Sequence, residues 1–239
     1  CILCLLSLRC RLVVLRWLLE AIIPSNVDNL QKNKRLVRES YNAIAVDYLA
    51  ARSELPAAAM ADVRLLDEVV SRLAPGAWVL DAGCGAGEPV TRLLQERFRV
   101  VGVDFAETQL TLARRLTPNG AFVCQDLTAL GFASACFDAV CSYYAIIHIP
   151  REEHKALFHG LRRLLKPGGL ALLCLGAEDL AQDFEGDYFG RAMHWSHFDA
   201  ETNLQLLQAC GLDIVWTKFV PDGHEPSASH LFVLVQKPS

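Results

Sequence analysis

This 239-residue chain has no basic excess: its net charge is −4, which argues against wholesale nucleic-acid binding. Beyond Cys1 and Cys4 there is no second C-x-x-C and no histidine cluster at metal-ligand spacing, so no metal is expected. Nine cysteines is an odd count, and they are scattered through expected strands and apolar helices. That distribution speaks for reduced thiols and a cytoplasmic setting rather than a disulfide framework. Internal repeats and low-complexity tracts are also missing. With 52% hydrophobic residues, the length suits one well-buried α/β domain and leaves no room for an independent second one.

Charge is unevenly placed. Through residue 40, seven cations (Arg9, Arg11, Arg16, Lys32, Lys34, Arg35, Arg38) oppose Glu20, Asp28 and Glu39, a net +4 that leaves −8 for the rest. No base-reading pattern or aromatic interleaving accompanies these cations, which read as a solvated face or an accidental run. The leucine-rich opening has an uncharged run only from Cys1 to Leu8, far short of the ~20 residues of a membrane span. A signal peptide would carry its charges before the apolar run, the reverse of this order. Residues 1–26 are therefore a leader or extra helix, with three readings: an amphipathic helix touching a membrane or partner, a helix packed on the domain, or translated sequence upstream of the true start. We favour the last.

What is present centres on Val79-Leu80-Asp81-Ala82-Gly83-Cys84-Gly85-Ala86-Gly87. A short apolar strand ends in an acid, and glycines then recur at alternate positions, supplying positive φ and leaving no Cβ to block a ligand. Helical character resumes at Glu88. Strand, glycine turn and helix N-terminus in that order put free N–H groups at the carboxyl edge of a sheet, where open α/β folds bind ligands. The register D-x-G-x-G-x-G is not the G-x-G-x-x-G of a dinucleotide site, because the third glycine would fall on Glu88.

With Asp81, Gly83, Gly85 and Gly87 the chain resembles a class I S-adenosylmethionine-dependent methyltransferase, of the small-molecule branch that contains ubiquinone-biosynthesis-like enzymes. The resemblance runs from about Tyr41 to the C-terminus. A second strand, Arg99–Asp104, ends in an acid 17 residues after Gly87. Its carboxylate can accept both hydrogen bonds of a ribose diol, or cap the helix from Glu107. Ala121–Leu127 repeats the pattern, and the resemblance implies that Asp126 bonds the adenine amino group while Leu127 packs near the ring; a surface turn is the plainer reading of Asp126. The same resemblance assigns Ala82, Cys84, Phe105 and Gln109 to the cofactor. Tyr41 and Tyr48, seven apart on a helix that would close over the cofactor, cover its methionine portion with Arg52 near the carboxylate, unless that helix merely packs.

A fourth strand, Phe137–Tyr143, leads into Tyr144 and His148. Tyr143 and Tyr144 could form an aromatic wall for a sulfonium, although strand alternation would send one ring away from the site. His148 is either a hydrogen-bonded structural residue or a base. Arg151–Leu165 has helical spacing and is stopped by Lys166-Pro167-Gly168-Gly169 before a strand at Leu170–Leu175. Asp199 caps a helix to Cys210, ended by Gly211, and Ile214–Val220 with Leu231–Val235 forms an antiparallel hairpin closing the sheet. The expected fold is α/β, a Rossmann-like doubly wound, seven-stranded, mostly parallel sheet with an antiparallel last strand and helices on both faces. Residues 27–239 form one domain: cofactor-covering helices (27–75), cofactor-binding core (76–176), substrate lid (177–198) and a C-terminal helix and strand hairpin (199–239).

The lid segment from Gly176 is dense in aromatic and histidine residues, with Phe184, Tyr188, Phe189, Met193, His194, Trp195, His197 and Phe198. Tyr188, Phe189 and Trp195 are the expected contacts to a flat or partly apolar small acceptor, or else they plug the sheet edge. The resemblance implies in-line displacement at the sulfonium methyl. If the acceptor is a hydroxyl, His148, His194 or His197 could take its proton. A protein that binds S-adenosylmethionine without catalysis is the alternative. If the favoured reading of the leader holds, deleting residues 1–26 leaves S-adenosylmethionine affinity unchanged in calorimetry; loss of binding in the shortened chain would count against it.

Overall fold

Each β-forming run in the first two thirds of the chain is apolar because both of its faces are covered. The structure, a computed structural model, describes residues 8–53, 61–222 and 229–239, with side chains in the first segment described from residue 27 to 52. Cys1 and Cys4 lie outside the described residues. Strands β1 (Trp78–Ala82), β2 (Arg99–Asp104), β3 (Ala121–Cys124), β4 (Phe137–Ser142) and β5 (Leu165–Gly176) run parallel. Period-two alternation splits their side chains between two cores: Leu80, Val101 and Leu173 point to one, Val79, Val100 and Leu172 to the other.

The first core is covered by α5 (His154–Leu164) and α6 (Ala200–Ala209), which contribute Leu157, Phe158, Leu161 and Leu207. The second is covered by α2 (Leu66–Val70) and α3 (Val90–Gln95), through Leu66, Val69 and Leu94. Strands β8 (Asp213–Pro221) and β9 (Ser229–Gln236) complete a seven-stranded sheet in the order β3-β2-β1-β4-β5-β9-β8, with β9 antiparallel to both of its neighbours. The expected α/β class, strand number and antiparallel last strand are all observed. Among the described residues no helix is long and apolar enough to cross a membrane.

One boundary differs from expectation. Strand β5 begins at Leu165, paired with Phe137, and Lys166–Gly169 bulges out before pairing resumes at Ala139 and Leu170. Lys166 holds the bulge by bonding both Asp138 oxygens at 2.8 Å. The Lys-Pro-Gly-Gly sequence is thus a turn inside a strand, not a spacer before one.

The segment after β5 is a separate two-stranded antiparallel hairpin, β6 (Leu180–Tyr188) with β7 (Arg191–His197). Its two-residue turn puts Phe189 at φ 52° and Gly190 at φ 76°, the left-handed pair that matches hairpin twist. The base of the insertion is tied by buried Asn203 on α6, whose amide donates to the carbonyls of Gly176 (3.0 Å) and Phe198 (2.9 Å). Helix α1 (Leu8–Ser53) packs against β7 and against α4 (Glu107–Leu116), and with β7 it buries Val37, Ile44 and Met193 together.

Because the order turns back between β1 and β4, the loops after these strands diverge to the two sides and leave a crevice at their carboxyl ends. At its floor Gly83 (φ 82°) lies so close to the loop after β4 that an added Cβ would sit 2.1 Å from Ala145 Cβ. Gly83→Ala is expected to lower stability by roughly 2–5 kcal/mol, combining a left-handed backbone penalty with overpacking. Urea denaturation measures this, and an unchanged midpoint would contradict the close approach.

Candidate active site

The glycine loop is shaped by hydrogen bonds to the neighbouring strand. Gly83 N–H and Cys84 N–H both donate to the Val103 carbonyl (2.7 and 3.0 Å), which turns the loop across the end of β2. Gly85 N–H donates to Asp104 Oδ2 and Ala106 N–H to Asp104 Oδ1, each at 2.9 Å. Asp104 therefore ties the loop to the start of α4, while Ala106 holds the N-cap position. Burial pushes the Asp104 carboxyl up, against the backbone N–H groups of Ala106, Gly85 and Phe105. Gly87 (φ 79°) closes the turn, its N–H on the Cys84 carbonyl, and it lies behind the lining rather than in it. Ala82 is also behind it, its carbonyl accepting from the Ser142 hydroxyl at 2.8 Å.

A cavity of about 700 Å³, counting its open mouth, runs over this loop, within the range of small-molecule sites. Gly83, Gly85, Asp104, Phe105, Gln109, Asp126, Leu127, Tyr41, Tyr48, Tyr143, Tyr144 and His148 all line it, so most of the expected set converges. Asp81, Cys84 and Arg52 line an adjoining recess shared with Gly83, Gly85 and Gln109. Asp81 is fully buried; its carboxyl is pushed up to about 7 by burial and by the charge of Asp104, against the hydrogen bond from Thr91. The Gln109 amide is buried in the wall with neither its nitrogen nor its oxygen partnered among the described residues. Such an amide suits a polar ligand group.

Asp126 is more than a surface turn. Its Oδ1 accepts from Thr128 N–H and Oγ1 (both 2.8 Å) and its Oδ2 from Lys34 Nζ (2.9 Å). Burial raises this carboxyl, but Thr128 and Lys34 outweigh it and hold it below the usual range. Lys34 also reaches Glu153 at 2.6 Å and is only 7% exposed. This corrects its reading as part of a solvated charge run: Lys34 fastens α1 to the strand ends on both sides of the crevice.

The far wall is aromatic. Tyr41 packs edge-on against Tyr48 (5.5 Å) and His148 (5.3 Å), Tyr188 against Trp195 (5.5 Å), and Phe189 against Tyr48 (5.9 Å) and Tyr188 (5.0 Å). The strained backbone at Phe189 is thus held by its ring contacts. Tyr41, Tyr48, His148, Tyr188 and Trp195, with Arg52, Tyr144, Ile147 and Asp222, line a chamber of about 300 Å³, counting its open mouth, beside the main cavity, and Phe189 packs behind that lining. Tyr143 and Tyr144 both face the cavity, against the alternation argument. Strand β4 ends at Ser142 and Tyr144 takes a left-handed φ of 52°, so the alternation stops. Buried Asp62 anchors both, its carbonyl accepting from Tyr143 (3.1 Å) and its Oδ2 from Tyr144 (3.0 Å) and Arg52 (3.4 Å).

His148 is buried with a fixed tautomer. Its Nδ1 lies 2.9 Å from the His194 carbonyl, which can only accept, so Nδ1 carries the proton and Nε2 accepts from the Tyr41 hydroxyl at 2.9 Å. Burial lowers His148 to about 4, so it is neutral at physiological pH. The other two histidines are not brought into the cavity. His194 Nε2 bonds Asn33 (3.1 Å) in an outer groove between α1 and the hairpin, and only its backbone carbonyl reaches inward. His197 Nδ1 bonds the Glu178 carbonyl (2.8 Å) at the hairpin base. Sequence reasoning missed Lys34, Asp62, Asp222 and Asn203, none of which stands in a local pattern.

Residues 79–169 match the family described as methyltransferase domain. That match takes in less than half of the chain. The chain is 38% identical over 106 residues to the 2-methyl-6-phytyl-1,4-hydroquinone methyltransferase of Synechocystis sp., covering 42% of this chain and 32% of that one. It is 36% identical over 106 residues to the demethylmenaquinone methyltransferase of Renibacterium salmoninarum, covering 44% of each. The chain thus spans about a third to a half of these curated relatives. In fold it is similar to the Burkholderia thailandensis 1,6-didemethyltoxoflavin-N1-methyltransferase, with a TM-score of 0.67 at 21% identity, covering 87% of this chain and 90% of that one.

The matched stretch holds Asp81, the glycines, Asp104, Asp126 and His148, whereas Lys34, Tyr41 and the hairpin aromatics lie outside it. Within that stretch, the raised Asp81 carboxyl has a consequence for stability. A folded value near 7 against about 3.9 unfolded means that stability is fully present below pH 4 and is lost as pH rises to about 7. Relative to Asp81→Asn, which retains an acceptor for Thr91, the wild type should lose up to about 4 kcal/mol across that window and nothing further above it. Urea midpoints of the two proteins from pH 4 to 8 test this, and parallel curves would refute it.

Proposed function

We propose that this protein binds S-adenosylmethionine and transfers its methyl group to a small-molecule acceptor. The observation that carries the reading is the convergence of Asp104 and Asp126 on one glycine-floored cavity and of Asp81 on the recess that shares its floor, each acid at or just beyond the end of a successive strand. Asp104 keeps acceptor capacity beyond its backbone bonds, which suits a ribose hydroxyl. Asp126 Oδ2 retains one lone pair beside Lys34 for an amino group, with Leu127 and Phe105 flanking the ring position. Asp81 and Arg52 in the adjoining recess offer opposite charges to the ammonium and carboxylate of an amino acid. S-Adenosylmethionine supplies an already activated methyl group, so the residues' main task is to hold an acceptor in line and keep water out. Such positioning is worth roughly 7–11 kcal/mol at the upper end.

The aromatic chamber is the acceptor's place, with Tyr188 and Trp195 as its hairpin wall and Phe189 packed against Tyr48 and Tyr188 to support it. The quinone methyltransferase relatives and the toxoflavin-type neighbour support a small organic acceptor over a macromolecule. We infer no nucleic-acid partner and a cytoplasmic setting, the latter supported by six free cysteines among the described residues. Residues 27–239 act as one unit in this reading, with residues 1–26 dispensable for the cofactor.

Calorimetry with S-adenosylmethionine and its demethylated product tests the cofactor. Both are expected to bind, and Asp104→Ala, checked for folding by circular dichroism, should weaken them by roughly 2–3 kcal/mol, about 30- to 150-fold. Wild-type protein that binds neither would overturn the proposal. Methyl transfer to a panel of small acceptors separates an enzyme from a binding protein without catalysis.

A further inference from the structure

Tyr41, Tyr48, Tyr144 and His148 line both the main cavity and the aromatic chamber. They stand at the junction that a methyl group must cross if the cofactor occupies one side and the acceptor the other. Of the four, Tyr41 is the one bonded to a nitrogen base, its hydroxyl donating to His148 Nε2 at 2.9 Å. We propose that Tyr41 and His148 form a proton relay for an acceptor that is a compact planar ring carrying its nucleophile as O–H or N–H. The inference rests on the methyl-transfer reading above and deepens it. It moves Tyr41 from covering the cofactor to contacting the acceptor.

The chemistry balances without a further reactant. A lone pair on the acceptor oxygen or nitrogen forms the new bond to the methyl carbon, and the sulfur–methyl bond breaks with its electron pair remaining on sulfur. The acceptor's proton passes to Tyr41 oxygen as the Tyr41 proton passes to His148 Nε2, leaving imidazolium. Positive charge is relocated within the site from sulfur to imidazole, and the net charge of the cavity is unchanged. His148 is a weak base, but a heteroatom that is gaining a methyl becomes strongly acidic, so a weak neutral base suffices. The ring of Trp195 lies 4.2 Å from that of His148, tilted by 36°, and its face stabilises the imidazolium that forms. The His194 carbonyl holds Nδ1–H throughout, so the base cannot turn away. Tyr41, Tyr48, Tyr144, Tyr188 and Trp195 present ring faces and edges around the chamber, a lining that suits a planar ring.

The test has one readout independent of turnover. Nitrogen-15 NMR of the wild type should show His148 as the neutral Nδ1–H tautomer, with Nε2 shifted by a hydrogen bond that is lost in Tyr41→Phe; a proton on Nε2 would overturn the relay. Turnover is then measured with 4-cresol and benzimidazole, which keep their protons near pH 8, and with 4-nitrophenol, which is ionised there. Tyr41→Phe and His148→Asn are each expected to lower kcat for 4-cresol by ~10²-fold or more, with the double variant no worse than either, and to lower it far less for 4-nitrophenol. Equal losses on protonated and ionised acceptors would mean a structural role and overturn the relay. A wild type that binds S-adenosylmethionine in calorimetry but methylates none of the three probes overturns the acceptor class, whereas one that does not bind it overturns the functional reading itself.

Discussion

The Asp104 carboxylate decides the shape of the site. Each of its oxygens holds one backbone N–H, Gly85 from the loop after β1 and Ala106 from the start of α4, so two loops that belong to different βα units are fixed to one another. Left alone, those two N–H groups would be buried donors without partners, a cost of roughly 1–3 kcal/mol each. The loop can therefore not relax away from the sheet, and its glycines stay at positive φ with their backbone open to the cavity. Gly83 can then lie against Ala145, and the loop after β4 is brought close enough for His148 to border the same space.

Helix α1 supplies the wall that the sheet cannot. Residues 34, 37, 41, 48 and 52 recur at three, four and seven residue steps, one stripe of a helix, and all border the cavity or its adjoining recesses. What fixes that stripe is Lys34, lodged between Asp126 and Glu153. A buried ion pair adds little net stability, but removing one partner leaves uncompensated charge, so it sets the register of α1 strongly. Sliding the helix by one turn would put Val37 or Leu30 between two carboxylates. The same contact limits Asp126 to a single remaining lone pair on Oδ2, so helix placement and ligand recognition share one carboxylate.

What was legible in the sequence is local. Buried parallel strands read as apolar runs, and the acids that matter are the penultimate residue of β1, the last of β2 and the second beyond β3, so fold class, strand order of appearance and most of the lining followed from neighbouring residues. Lys34 was not legible, since its partners are 92 and 119 positions away and it sits in a run of cations that otherwise faces solvent. Tyr144 misled because alternation holds only while a strand continues, and the backbone turns left-handed two residues after β4. The hairpin turn at Phe189-Gly190 carries only half of the usual turn signal, a glycine without Asn or Asp before it. The protonation state of His148 came from a carbonyl on another element, which no pattern in its own segment encodes.

Polarity along the cavity is strongly graded, and the gradient orients whatever binds. At one end Asp81, raised by burial, and Arg52 form a charged recess, with Asp104, also raised by burial, on the wall of the cavity next to it. At the other end phenols, an indole and an imidazole that burial keeps uncharged make up most of the lining, with Arg52 and Asp222 beside them. A cationic group near the carboxylates lowers both of their raised values at once, whereas the same group in the aromatic chamber would push His148 lower still. A ligand with an amino-acid end and an activated methyl therefore has one favourable direction, amino acid toward Asp81 and methyl toward the aromatic side. At the aromatic junction around Tyr41 a positive charge meets ring faces on several sides, and a charge held largely by quadrupoles is easier to move than one paired with a carboxylate, which favours the transfer step over mere binding.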